Sequence, residues 1–198
     1  MACKLSVQSL KTSLIGPISF EVGENETLCI KGETGSGKTL LLRAIADLDF
    51  HEGLVVLNGR EQAEFHPPDW RRRVGLLPAE SAWWSEIVED HFSDPDAVGK
   101  FGFLGFDRDV FDWPVSRLSS GERQRLALLR LLNQEPEVLL LDEPTANIDN
   151  ASTLEVESLI ERYRKKTGAA VIWVSHSASQ RMRVASRVLD MVDGKLVS

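Results

Sequence analysis

The chain has 198 residues, enough for one substantial core or for a core with a small subdomain, and its 42% hydrophobic and 27% charged residues are those of an ordinary soluble globular protein. A formal net charge of −7 argues against a general nucleic-acid binder, which carries a basic face. Cys3 and Cys29 have neither the number nor the spacing of a disulfide framework or zinc site, and no apolar run approaches the roughly 18 residues of a membrane span.

The opening MACKLSVQSL lacks the long apolar core of a secretory signal, so a cytoplasmic location is expected. KLSVQSL and PISFEV alternate apolar with polar residues and predict strands. TLCIKG is a nearly continuous apolar strand running into glycine, with Cys29 as a buried small hydrophobe. KTLLLRAIADL follows a glycine-rich run and predicts a helix of about three turns. GLVVLNG predicts a strand closed by an Asn-Gly turn, and Arg71 to Arg73 precede another strand, VGLLP. From Glu80 to Arg117 aromatic residues, Gly, Asp and Pro become frequent, and SEIVEDHF is the clearest helical piece. Residues 80–117 are therefore expected to form a small inserted subdomain between two parts of a core, 1–79 and 118–198. After Leu118 the pattern predicts a helix to about Leu132, the strand EVLLLD, a helix from Ala151 to about Lys166, the strand AAVIWVS, a short helix around Gln180 to Ala185, and a closing hairpin, RVLDMVDGKLV. Strands alternating with helices imply an α/β protein with a mainly parallel sheet covered on both faces.

Four short stretches carry chemistry. GETGSGKT, from Gly32 to Thr39, matches G-x-x-x-x-G-K-[ST] between a strand and a helix. Its glycines let backbone N–H groups turn inward around phosphates, Lys38 reaches the β/γ phosphates, and the Thr39 hydroxyl suits Mg²⁺. The plainer reading is a tight glycine turn that happens to contain lysine. EVLLLDEP places Asp142 and Glu143 at the carboxyl end of a buried strand, where ligands of open α/β sheets sit. Asp142 suits Mg²⁺ and Glu143 suits a general base for attacking water; otherwise the two acids solvate a strand end. His176 in VIWVSHS follows another buried strand, within reach of a γ-phosphate or simply in solvent. LSSGERQR, from Leu118 to Arg125, opens a helix. Ser119 with Glu122 fits the capping box S-x-x-E, and the free N–H groups of such an opening also make an anion site.

Together and in this order, the motifs resemble those of the ATP-binding cassette (ABC) ATPases. GETGSGKT looks like their Walker A loop, LSSGE like their signature LSGGQ, and VLLLDEP like their Walker B strand with its catalytic glutamate. ANID stands at their D-loop, and SHS carries their switch histidine. The resemblance implies a P-loop NTPase fold with an antiparallel N-terminal β-subdomain and a small inserted α-helical subdomain, within a single domain spanning 1–198. It implies ATP and Mg²⁺ as ligands and catalytic roles for Lys38, Glu143 and His176. Nucleotide contacts would come from Gly32, Glu33, Thr34, Gly35, Ser36, Gly37, Lys38, Thr39 and Leu40. Two such cassettes pair head to tail, so Ser119, Ser120, Gly121 and Glu122 would complete the partner copy's site. Within the family the chain looks most similar to small bacterial export ATPases. The implied partners are a second ATPase subunit, as a homodimer when ATP is bound, and a membrane permease that holds the chain against the inner face of the membrane; no nucleic acid is implied.

Several positions depart from the family pattern. Ser120 and Glu122 replace a Gly and a Gln of the signature, and Leu40 replaces a hydroxyl residue that touches the α-phosphate. No aromatic residue precedes Phe20, so the usual ring that stacks on adenine is absent or is supplied by something else. Ala79 stands where the Q-loop glutamine belongs, with Glu80 next to it as a substitute Mg²⁺ ligand if the loop shifts by one residue. That change motivates an alternative reading, a nucleotide-switched regulatory subunit with weak ATPase activity. Trp83 and Trp84 follow the Q-loop and either anchor a permease or pack the small subdomain.

Overall fold

The computed structural model describes residues 3–94 and 104–197. β1 (Cys3–Lys11), β2 (Ile18–Gly23), β4 (Glu52–Leu57) and β5 (Arg60–Glu61) form an antiparallel sheet in the order β2-β1-β4-β5, with β3 (Thr27–Lys31) belonging elsewhere. Asn58 and Gly59, both at positive φ (50° and 80°), make the tight turn between β4 and β5.

The second sheet has the order β10-β9-β3-β8-β7-β6. Its members are β3, β6 (Val74–Leu77), β7 (Val138–Asp142), β8 (Ala170–Val174), β9 (Arg187–Val192) and β10 (Lys195–Val197); all pair in parallel except the β9–β10 hairpin. Every residue of β7 and of β8 is buried, because helices or the first sheet cover both faces. The pleat divides these strands between two apolar layers. Leu28, Ile30, Val138, Leu140, Ile172 and Val174 face the first sheet and helix α1 (Lys38–Ile45). Cys29, Leu139, Leu141, Val171 and Trp173 face helices α3 (Ser120–Leu132) and α4 (Asn150–Thr167). Burial pushes the Cys29 thiol up to about 12, so it stays protonated at neutral pH, as a core residue.

Three local expectations are corrected. SEIVEDHF is not an α-helix: only Glu89–His91 turn, as one 3₁₀ turn. Val88 N–H donates to Trp113 O (3.1 Å) and Val115 N–H to Glu86 O (2.8 Å), pairing the middle of this stretch with residues 113–115, and only His91 and Phe92 N–H donate back within it, to Val88 O and Glu89 O. Among the described residues of 80–117 the only helical pieces are 3₁₀ turns, at Glu89–His91, Arg108–Asp112 and Val115–Arg117. The first helix is shorter than expected, ending at Ile45. Helix α2 (Pro67–Arg73), starting on a proline pair, escaped the periodicity. Its buried Trp70 Nε1 donates to Ile45 O (2.9 Å), which caps the end of α1. The remaining helix, α5 (Ala178–Val184), lies just after β8.

Candidate functional site

The phosphate loop leaves β3 at its carboxyl end. Gly37 begins α1 at φ 106°, and a Cβ there would lie 2.5 Å from Ile15 Cγ2, so only glycine fits. Lys38 is 6% exposed, and its ammonium donates to Gly32 O (2.8 Å), Glu33 O (2.7 Å) and Ser36 Oγ (3.4 Å). A buried cation thus lies beneath the loop with its charge met by carbonyl oxygens that a phosphate can replace. The hairpin tip supports the loop from outside, through Gly194 N–H donating to Ser36 O (3.1 Å). Against the loop lies a cavity of about 730 Å³, bordered by Gly32 to Ser36, Ser175, His176 and Arg181. Leu40 is half-buried and packs against the first apolar layer.

Strand order brings the other motifs to the same edge, since β8 lies between β3 and β7. Thr39 Oγ1 donates to Asp142 Oδ2 (2.7 Å), so two of the three expected Mg²⁺ ligands already touch. Burial pushes the Asp142 carboxyl up, partly offset by the Thr39 hydrogen bond. Among the described residues no three His, Cys, Asp or Glu side chains gather as a metal cage. One hydroxyl and one buried carboxylate nonetheless fit Mg²⁺, which prefers hard oxygens and keeps waters and substrate phosphates as its other ligands.

Glu143 leaves β7 in the left-handed region (φ 49°), and its N–H donates to Val174 O (3.1 Å). Holding a non-glycine residue there costs on the order of 1 kcal/mol. Its Oε1 lies 2.8 Å from His176 Nε2. Glutamate and histidine, far apart in sequence, thus form one pair at the ends of β7 and β8.

The signature stretch stands apart. The capping box is complete: Ser119 Oγ accepts from Glu122 N–H (3.2 Å) and Glu122 Oε2 accepts from Ser119 N–H (2.8 Å). A Cβ on Gly121 would lie 2.8 Å from Asn147 O, so this glycine lets α3 approach the D-loop of the same chain. None of Ser119, Ser120, Gly121 and Glu122 borders the cavity at the phosphate loop. The structure therefore does not bring the two anion cradles together within one copy.

Ala79 is half-buried and Glu80 exposed in the turn after β6. That turn is tied to α3 by the buried Gln124, whose Nε2 donates to Pro78 O (3.0 Å) and whose Oε1 accepts from Ser81 Oγ (2.8 Å). Trp84 is 71% exposed, whereas Trp83 packs on the second apolar layer, and the Arg130 guanidinium sits 4.8 Å from each ring. Beside them runs a cleft of about 260 Å³ that includes Leu48, Leu76, Pro78, Trp84, Ala127 and Arg130.

Sequence reasoning missed Arg181 and Gln180. Arg181 borders the loop cavity and donates to Ser175 O (2.8 Å). Gln180 is 4% exposed and bonds to three other segments. No motif announces either residue; a short polar helix after a strand gives no sign of what its side chains will meet.

Comparison with known proteins places the chain as a whole. The family described as "ABC transporter" matches residues 15–146. The chain is 34% identical to protein STAR1 of Oryza sativa over 192 residues, which is 91% of this chain and 56% of that protein, so it spans little more than half of that relative. It is 32% identical over 190 residues to the aliphatic sulfonates import ATP-binding protein SsuB of Granulibacter bethesdensis, covering 94% of this chain and 77% of that one. It is also 32% identical over 192 residues to ABC transporter I family member 17 of Arabidopsis thaliana, covering 91% and 73%. The bacterial name states import, so these relatives lend no support to the export-type likeness. Among solved structures, an ATP binding subunit of an ABC transporter superposes with TM-score 0.87 at 19% identity, over 98% of this chain and 88% of that one. A bacterial Atm1-family ABC exporter with ATP bound superposes with TM-score 0.86 at 21% identity, over 100% and 38%. At these identities both show the fold alone. The chain belongs to the ABC transporter family, as an ATPase domain of the kind carried by its ATP-binding proteins.

Proposed function

We propose that the chain hydrolyses MgATP as one half of a head-to-tail pair of copies and drives a membrane permease. The observation that carries this reading is the Glu143–His176 pair, 2.8 Å apart, set beside the Thr39–Asp142 pair at adjacent strand ends. Lys38 and the loop N–H groups hold the β and γ phosphates, with Lys38 trading carbonyl partners for phosphate oxygens. Thr39 and Asp142 would hold Mg²⁺, which would neutralise phosphate charge. Glu143 accepts the proton of the attacking water as its oxygen bonds to the γ-phosphorus and the bond to the bridging oxygen of ADP breaks. His176 holds the Glu143 carboxylate in place through Nε2 and faces the γ-phosphate.

The partner copy's α3 amino terminus meets the far side of that γ-phosphate, with Ser119 and Gly121 nearest. Two copies therefore hold each other only while the γ-phosphate is attached, and cleavage releases them. Among the described residues no helix is long and apolar enough to cross a membrane. The cleft beside Trp84 and Arg130 is where a cytoplasmic segment of the permease docks, with Trp84 as its exposed anchor and Arg130 as its cation. The site lies on the inner face of the membrane through that contact.

The deciding experiment is Glu143→Gln. Turnover is expected to fall by roughly 10²–10⁴ with ATP binding kept, and MgATP should shift the variant from monomer to dimer while MgADP does not. Turnover near the parent rate sinks the hydrolytic role of Glu143. A second reading, a slow nucleotide switch, is favoured by Ala79, whose side chain has no polar atom to report the γ-phosphate. If Ala79→Gln raises turnover and Glu80→Ala leaves it unchanged at every Mg²⁺ concentration, the switch reading stands and Glu80 is no metal ligand.

A further inference from the structure

Beyond the ends of β7 and β8 the chain has few ladder bonds to keep the two catalytic loops in register. Asp142 still pairs with Val174 and Glu143 N–H still reaches Val174 O, while Ser175 N–H, on the other side of β8, bonds to Ile30 O of β3 (3.4 Å); past Val174 no backbone bond joins the two loops among the described residues. Glu143 and His176 lie in this unpaired region, yet a useful hydrogen bond between them requires their backbones to be held within a fraction of an ångström.

We propose that Gln180 is a positioning residue for hydrolysis: its buried amide ties the loop leaving Glu143 to the loop carrying His176 and so holds that pair together. Gln180 Oε1 accepts from Ser175 Oγ (2.7 Å), the residue just before His176. Its Nε2 donates to Thr145 Oγ1 (2.9 Å), two residues after Glu143, and to Glu157 Oε1 (3.0 Å) on α4. The amide has one acceptor and two N–H donors, and all are used. Its orientation is forced, because an ionised Glu157 only accepts. Glu157 is itself gripped by Arg183, whose Nε and Nη2 donate to its two oxygens at 2.7 Å each. A chain Arg183–Glu157–Gln180 thus anchors the bridge to α4, and the hydroxyls of Thr145 and Ser175 transmit it to the catalytic loops. Alanine or leucine makes none of these bonds. A carboxylate satisfies Ser175 but turns like charge on Glu157.

This inference rests on the hydrolytic reading of Glu143 and His176, and kinetics test it. Gln180→Leu is expected to lower kcat about 10- to 100-fold, with KM for ATP and affinity for ADP changed less than about twofold. In a His176→Ala background the same change should cost less than about twofold, because there is no pair left to hold. Gln180→Glu reads the polarity of the bridge. The charges around position 180 are Glu157 on α4, Arg183 and Arg181 on α5, and His176 and Glu143 beyond Ser175. With Glu157 nearest, the new carboxyl is expected to be active only when protonated, so its kcat relative to the parent should rise as pH falls. Ser175→Ala, which leaves Gln180 intact but cuts the bridge, should repeat the kcat loss. Parental kcat in Gln180→Leu, or an equal loss in the His176→Ala background, overturns the proposal. Where Gln180→Leu fails to fold, Ser175→Ala and a pH-independent Gln180→Glu decide in the same way. Turnover surviving in Glu143→Gln sinks the hydrolytic reading itself; a dead Glu143→Gln beside parental Gln180 variants sinks only the bridge.

Discussion

A Cβ on Gly121 meets the Asn147 carbonyl oxygen at 2.8 Å, a backbone atom that cannot step aside alone. Gly121→Ala should therefore destabilise the chain by about 1–3 kcal/mol, as overpacking does, and urea unfolding measures it. A cost below a few tenths would mean that the D-loop gives way freely. Asp142 shows the opposite balance. Burial raises its carboxyl above the usual range, so the folded chain binds that proton more tightly than the unfolded one. The stability linked to this group is present below the unfolded value and lost as pH rises through the folded one. Removing the charge should then stabilise the free protein and ruin it as an enzyme. Asp142→Asn is expected to raise the melting midpoint without nucleotide at neutral pH, and to abolish the further rise that MgATP gives the parent chain. A lower midpoint would show that the Thr39 contact outweighs the cost of burial.

Helix α3 begins with a cap that has two readings, and substitution separates them. Ser119 and Glu122 satisfy each other's N–H groups, and the bond from Ser119 N–H holds the Glu122 carboxyl below the usual range. Ser119→Ala should cost about 1 kcal/mol in urea unfolding. Ser119→Asp keeps a capping oxygen, so stability should stay within about 0.5 kcal/mol of the parent, yet in the proposed pairing it would aim a negative charge at the partner's γ-phosphate. ATP-driven pairing of that variant, followed by light scattering in a Glu143→Gln background, should be lost; unimpaired pairing would show that α3 faces no phosphate. Helix α1 stops where it does for a related reason. Asp47 takes the left-handed conformation (φ 59°), Asp47 N–H donates to Ala44 O (3.1 Å) and Leu48 N–H to Arg43 O (2.9 Å). That is a Schellman ending with aspartate in the place glycine usually takes. Arg71 donates to both the carbonyl and the carboxylate of Asp47, at 3.0 and 3.1 Å. KTLLLRAIADL was legible as a helix; its stopping point depends on an arginine from another helix.

At the scale of the whole molecule, charge and symmetry oppose each other. Each copy carries a formal −7, so a homotypic pair brings together −14 (twice −7) before any nucleotide is counted. Long-range repulsion of this kind is screened as the Debye length shrinks from about 30 Å at 0.01 M salt to about 8 Å at 0.15 M. The ATP-bound dimer of Glu143→Gln should therefore become more populated over that range, as read by sedimentation. If it instead dissociates with added salt, local cation–phosphate contacts dominate the pairing. The same sheet that gathers the phosphate loop, Asp142, Glu143 and His176 at the carboxyl ends of its strands leaves the start of α3 outside the loop cavity, which is the arrangement the proposed head-to-tail pairing needs.

Chemistry that needs neighbours in sequence was readable from sequence. A phosphate loop needs its glycines, lysine and threonine on one turn, a cap needs residues three apart, and a buried parallel strand needs an unbroken apolar run; GETGSGKT, SSGE and VLLLDEP meet these conditions by themselves. The α/β sheet and most of its helices followed from the same local patterns. What tertiary structure alone decided are the pairings that bring distant groups together: Glu143 with His176, Gln180 with Thr145 and Glu157, Arg71 with Asp47, and residues 86–88 with 113–115. In each, a partner remote in sequence meets a backbone or polar group more favourably than any local bond, and a linear pattern carries no record of which partner that is.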